Sequence, residues 1–179
     1  CTKPEPRVSW SPEFFQKAGA SIIERLGEAI LPKTETPGSI DVEAHIFVDR
    51  FLKHVATEQD QQKCRLGLDH WTTDYLQRKG KPLVEASAND LQQELAYLLD
   101  VDQQKQEKIS DMINGDPPEE SEQAKQYYTY AFLMTFKKLL MLGYYASEEV
   151  GENVLSYLPV PGRYDGCIPA EEVGYSWAL

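Results

Sequence analysis

Residues 119–145 read EESEQAKQYYTYAFLMTFKKLLMLGYY, and the fold class turns on this stretch. Ala124, Tyr128, Phe132, Phe136, Leu139, Leu140 and Gly143 recur in it at helical spacing. It is the longest and most apolar helical pattern in the chain, and it reads as the central element of a bundle. Lys137 and Lys138 sit in the middle of its most apolar part, Tyr127 to Ala146, so it does not read as a membrane span. Asn114-Gly115-Asp116-Pro117-Pro118 marks a clear break before it.

Working towards the N-terminus, residues 102–114 are polar, with Ile109, Met112 and Ile113 as their apolar members. That composition predicts a marginal, solvated helix. Leu91, Leu95, Leu98 and Leu99 predict another, opened by a capping pattern at Ser87 and Asp90. Thr57 and Asp60 repeat that pattern before a stripe of Cys64, Leu68, Trp71 and Tyr75, which Gly80 and Pro82 end. A helix over about residues 41–55 follows from Ala44, Phe47, Val48, Phe51, Leu52 and Val55. Ser11-Pro12-Glu13 predicts the start of the first helix, with Phe15, Ala18, Ile22, Leu26, Ala29 and Ile30 as its stripe and Pro32 as its stop. After Ser147 the period is lost. Residues 148–179 hold many turn formers, and six acids there face one base, Arg163. The expected class is all-α, an irregular bundle of about five to six helices with a long, turn-rich C-terminal segment. Residues 1–10 read as a flexible tether and 11–179 as a single helical domain.

The chain has 179 residues, and 29 Asp and Glu outnumber 18 Lys and Arg for a net charge of −11. A surface of that sign repels phosphate backbones and argues against nucleic acid as a partner. No glycine-rich phosphate loop, nucleophile elbow, HExxH or CxxC occurs in the sequence. His45 and Asp49 stand four residues apart, the spacing of two metal ligands on one helix face, but a solvated polar face fits them better. Glu24 and Glu28 have the same spacing and read as exposed acids.

The three cysteines divide by context. Cys64 lies on an apolar stripe and reads as a buried, inert thiol. Cys167 sits in the turn Asp165-Gly166-Cys167-Ile168-Pro169 and reads as accessible. It either forms a disulfide, with Cys64 or with another chain, or stays free. Cys1 precedes a polar, proline-containing tether. It is either an accident of where the chain starts or the acylated first residue of a bacterial lipoprotein. The second reading is preferred; it predicts a periplasmic protein of the cell envelope, held to a membrane through lipid on Cys1. Pro159, Pro161 and Pro169 stiffen the segment 158–169, and Gly162 and Gly166 allow tight turns in it. Arg163 and Tyr164 are residue types that dominate binding hot spots. Pro161, Gly162, Arg163, Tyr164, Asp165, Gly166 and Cys167 are therefore the expected partner-binding residues.

Three blocks carry a likeness to a known family. Ile30-Leu-Pro-Lys-Thr-Glu-Thr-Pro-Gly38, followed by Phe47-Val-Asp-Arg50, resembles the opening block of the gluconate 2-dehydrogenase subunit 3 family. Leu142-Gly-Tyr-Tyr-Ala-Ser-Glu148 resembles its second block, and Tyr157-Leu-Pro-Val-Pro-Gly-Arg-Tyr-Asp-Gly-Cys167 its closing one. The resemblance implies a small accessory subunit without catalytic residues, cofactor or metal of its own. It accompanies a flavin-dependent catalytic subunit of the glucose–methanol–choline type, which holds FAD. Often a c-type cytochrome with haem completes the complex. Such subunits assist export and maturation of the catalytic partner. They commonly begin with a twin-arginine signal, and the Cys1 start departs from that pattern. The rival expectation is a stand-alone cell-envelope lipoprotein that binds a metal, a solute or a glycan.

Overall fold

The computed structural model describes residues 9–118, 122–156, 167 and 169–173. Within them the chain is built of helices: α1 (Lys17–Ile30), α2 (Ala44–His54), α3 (Glu58–Lys79), a 3-10 turn (Leu83–Glu85), α4 (Ala88–Leu99), α5 (Gln103–Asn114), α6 (Glu122–Tyr145), α7 (Glu148–Asn153) and the short α8 (Ala170–Val173). No helix among the described residues is long and apolar enough to cross a membrane.

α6 runs through the middle, packed most extensively on α3 and then on α2. Its buried set is wider than one stripe. Tyr127, Tyr130, Leu133 and Tyr144 join Phe132, Phe136, Leu139, Leu140 and Gly143. A helix with neighbours on several sides buries more than a single face. Tyr128, expected in the stripe, is half-buried and stacks on His70, with ring centroids 5.9 Å apart. Two glycines let the helices close up. A Cβ on Gly67 of α3 would collide with the Tyr128 carbonyl and the Phe132 side chain of α6. A Cβ on Gly143 would lie 2.7 Å from the Phe47 ring of α2. Trp71, wholly buried, fills the seam beside Phe132.

The helix ends follow their local chemistry. Thr57 accepts from the Asp60 amide, and Ser87 and Asp90 form a full capping box. Gly80 closes α3 in the left-handed conformation at φ 68°. α5 hangs on the bundle by one buried residue, Ile109, as its polar composition predicts. Two expectations need correction. α1 starts at Lys17, not near Ser11, and Gln16 at its N-cap makes no side-chain capping bond. The amides of residues 13–15 are instead claimed by a carboxylate on α2, described below. The segment after Ser147 is not devoid of helix either. Ser147 accepts from the Val150 amide and opens α7, whose Val150 is fully buried.

Replacing Gly67 by Ala tests the seam. It should destabilise the protein by about 1–3 kcal/mol, since neither the backbone nor the Cβ it meets can move aside cheaply. Urea denaturation measures this, and an unchanged midpoint would show that α3 and α6 can separate at no cost.

Candidate functional site

Asp49 faces inward from α2 and is fully buried. Its carboxylate accepts three consecutive amides, Glu13 N at 2.7 Å, Phe14 N at 3.2 Å and Phe15 N at 2.9 Å. The same stretch of α2 grips the Glu13 side chain, through His54 Nε2 at 2.7 Å and Arg50 Nε at 3.3 Å. The hydrogen bond from His54, with a lesser contribution from Arg50, holds the Glu13 carboxyl below its ordinary range. Phe14 and Phe15 are thereby turned into the core, with the Arg65 guanidinium 4.3 Å from the Phe14 ring centre.

His45, one turn before Asp49, is also buried. Trp10 meets its ring edge-on at 5.4 Å and donates its indole N–H to Glu24 at 3.2 Å. The expected solvated face at His45 and Asp49 is therefore wrong, because the chain before α1 folds over it. Glu24 is half-buried under Trp10 rather than free. Among the described residues no three His, Cys, Asp or Glu side chains gather as a metal site requires. Burial holds His45 below its ordinary pKa of 6.5, against the opposing pull of Glu24, Glu43 and the Ser39 backbone. Its Nδ1 and the nearby Ser39 Oγ have no hydrogen-bond partner among the described residues.

At one end of the bundle, the first two sequence blocks singled out above come together. Tyr144 OH donates to the Pro37 carbonyl at 2.8 Å, and Phe47 covers Gly143. Asp41 secures the same loop, accepting from Gly38 N at 2.9 Å and Lys33 Nζ at 3.1 Å. Beside this joint lie two exposed apolar side chains of α6, Leu142 (46% exposed) and Tyr145 (42%). Phe47 and Phe51, half-buried and with ring centres 5.8 Å apart, form the adjoining stripe of α2.

A second polar cluster was not foreseen. Glu94 of α4 is almost fully buried, paired with Arg78 and reached by the Trp71 indole N–H at 3.4 Å. Arg78 also binds Asp74 at 2.6 Å, and these carboxylates hold its pKa above the ordinary value. Glu94 is 16 residues from Arg78, so only the tertiary fold joins them. The local signal was a charge standing one turn before Leu98 on an otherwise apolar face.

Of the residues expected to bind a partner or lipid, Cys1 and Pro161, Gly162, Arg163, Tyr164, Asp165 and Gly166 lie outside the described residues. Cys167 is an exposed free thiol. Cys64 is buried and free, as its stripe position predicts, and burial pushes its pKa up to about 12.

Compared with known families, the chain matches the model of gluconate 2-dehydrogenase subunit 3 over residues 17–162. The chain belongs to this family. No curated protein and no solved structure matches it significantly. The family match runs from the start of α1 through α7 and into the third block, so every helix of the bundle core is a family element.

Two predictions follow from the buried pair on α2. Asp49→Ala strands three amides and should cost roughly 3 kcal/mol or more, with Phe14 and Phe15 becoming exposed. Denaturation and tryptophan fluorescence of Trp10 read both effects; retention of the wild-type midpoint would mean the amides find water. For His45 the sign is set by its depressed folded pKa. The unfolded chain binds a proton more readily, so this stability is complete above about pH 6.5 and falls as pH drops through it. His45→Phe should flatten the thermal midpoint between about pH 7.5 and about pH 5.5. An equally steep pH dependence in the variant would assign the effect to other groups.

Proposed function

We propose that this chain is a non-catalytic accessory subunit that binds and stabilises the flavin-dependent catalytic subunit of a periplasmic sugar, gluconate or polyol dehydrogenase. The observation that carries this reading is the family match across residues 17–162. On it, FAD resides in the partner, with a c-type haem in complexes that include a cytochrome. The flavin supplies the redox chemistry there, and this chain's residues supply binding.

Association alone can deliver the function. A protein that binds only the folded partner raises the partner's stability by mass action. The apolar joint of α2 and α6 suits such a contact: Leu142 and Tyr145 are exposed beside the hydrogen bond of Tyr144 to Pro37. Pre-organised surfaces lose less entropy on binding. Residues 161–167 would add Arg163 and Tyr164, and Cys167 a thiol for covalent linkage.

The tagged chain should co-purify from native membranes with a larger flavoprotein, recognisable by its flavin absorbance. Leu142→Asp with Tyr145→Asp should abolish co-elution while the isolated variant keeps its helical circular dichroism. Co-elution unaffected by this variant would move the contact away from α6. A wild-type chain that elutes alone and colourless would overturn the subunit reading. Cys167→Ser should remove any species that a reducing gel separates, and an unchanged non-reducing pattern would exclude the covalent link.

A further inference from the structure

Each of the long helices α1 to α4 and α6 is tied to another part of the bundle by a polar bond. Arg25 of α1 donates to the Val84 and Ala86 carbonyls. Asp49 of α2 takes the amides before α1, and Trp71 and Arg78 of α3 reach Glu94 of α4. Tyr130 of α6 donates to the Leu98 carbonyl of α4 at 3.3 Å. α5 has no such tie. Among the described residues its hydrogen bonds stay within its own stretch, as from Gln103 to Glu107, from Gln106 to the Val101 carbonyl and from Asn114 to Ser110.

Apolar contact is therefore what holds α5. Residues 102–108 are all exposed. Ile109 is its one buried side chain, with Met112 and Ile113 half-buried beside it. Beneath it lies a cavity of about 390 Å³, shared with α3, α6 and the end of α4, so part of its inner face meets no packed neighbour. Leu98, Thr129 and Tyr130 line that cavity from the other helices, each 8% exposed. α5 is also short. It has 12 residues, none of them alanine, and isolated helices shorter than about 12–15 residues are marginal in water. Undocking therefore melts it. Non-helical residues bound it on both sides, at 100–102 and 115–118, so the melting stops short of α4 and α6.

We propose that α5 is a strap that opens as a unit: it undocks and melts while α1 to α4 and α6 stay packed, and the cavity beneath it becomes an open groove floored by Leu98, Thr129 and Tyr130. Local openings span the range from no cost to the cost of full unfolding, and an element with one buried side chain and no polar tie lies near the low end. The uncovered floor is largely apolar, and closing the strap returns it to the interior.

Hydrogen exchange of the isolated full chain under native conditions tests this. The amides of residues 106–113 should exchange together, at least about 100-fold faster than those of residues 67–75 and 130–140. Exchange confined to the ends of α5, with its middle as protected as α6, would overturn the inference. A second readout follows the floor. The thiol introduced by Thr129→Cys should react with a thiol reagent, mapped by mass spectrometry, in step with the exchange of α5. An introduced thiol that reacts only as slowly as the buried Cys64 would show that the floor stays covered, and would equally overturn it. Ile109→Ala should speed both readouts by about tenfold or more while residues 67–75 keep their protection. Equal acceleration throughout α3 and α6 would mean that α5 opens only with the whole bundle, against the inference.

Discussion

A buried carboxylate takes three backbone amides, and the packing of the N-terminal half depends on it. Asp49 receives Glu13, Phe14 and Phe15 N–H groups that no helix satisfies, because α1 begins only at Lys17. Unpaired, those donors would offset much of what the burial of Phe14 and Phe15 returns. Paired to a full negative charge, they form a fixed anion nest and direct both phenyl rings into the seam between α1 and α3. Asp49 in turn is tolerated inside the core because three donors replace its water. Each half of the contact justifies the other, and α2, α1 and the segment before α1 are thereby held as one unit.

Glu94 solves the same problem at the other side of the bundle with a different donor. Arg78 and the Trp71 indole replace water around its carboxylate, and Arg78 extends outward to Asp74 and Tyr97. One buried acid is thus met by backbone and the other by a guanidinium. The choice has a structural consequence. The backbone nest fixes the segment before α1, whereas the guanidinium also lies over the Tyr97 ring beside a cavity. Gly67 lets α3 lie directly on α6.

Much of this was legible in the sequence, because the signals are local. Capping residues at Thr57, Ser87 and Gly80 act within a turn of where they stand, and the stripe Cys64, Leu68, Trp71, Tyr75 is buried as its spacing predicts. The failures share one cause. Asp49, His45 and Glu94 look like solvent-facing charges on a helix, and only chain 16 to 36 residues away in sequence covers them. Ser11-Pro12-Glu13 has good helix-start chemistry, yet tertiary bonds to Asp49 outcompete it. Ser147 was the reverse case, a plain capping residue passed over because the residues after it lack an apolar period. Of the site, the meeting of the first two family blocks was not legible, because a tyrosine hydroxyl and a glycine more than 90 residues away in sequence make the joint.

The charge of the molecule bears on what can cover the exposed apolar joint. Asp41, Glu43, Glu148, Glu149 and Glu152 line a shallow cavity beside it, on the loop that Tyr144 fastens and on α7. A second copy docking by two-fold symmetry would set this acidic rim against itself. Like charges so placed repel, and they would do so around an apolar patch too small to compensate unaided. A basic surface would meet this acidic cavity with attraction instead.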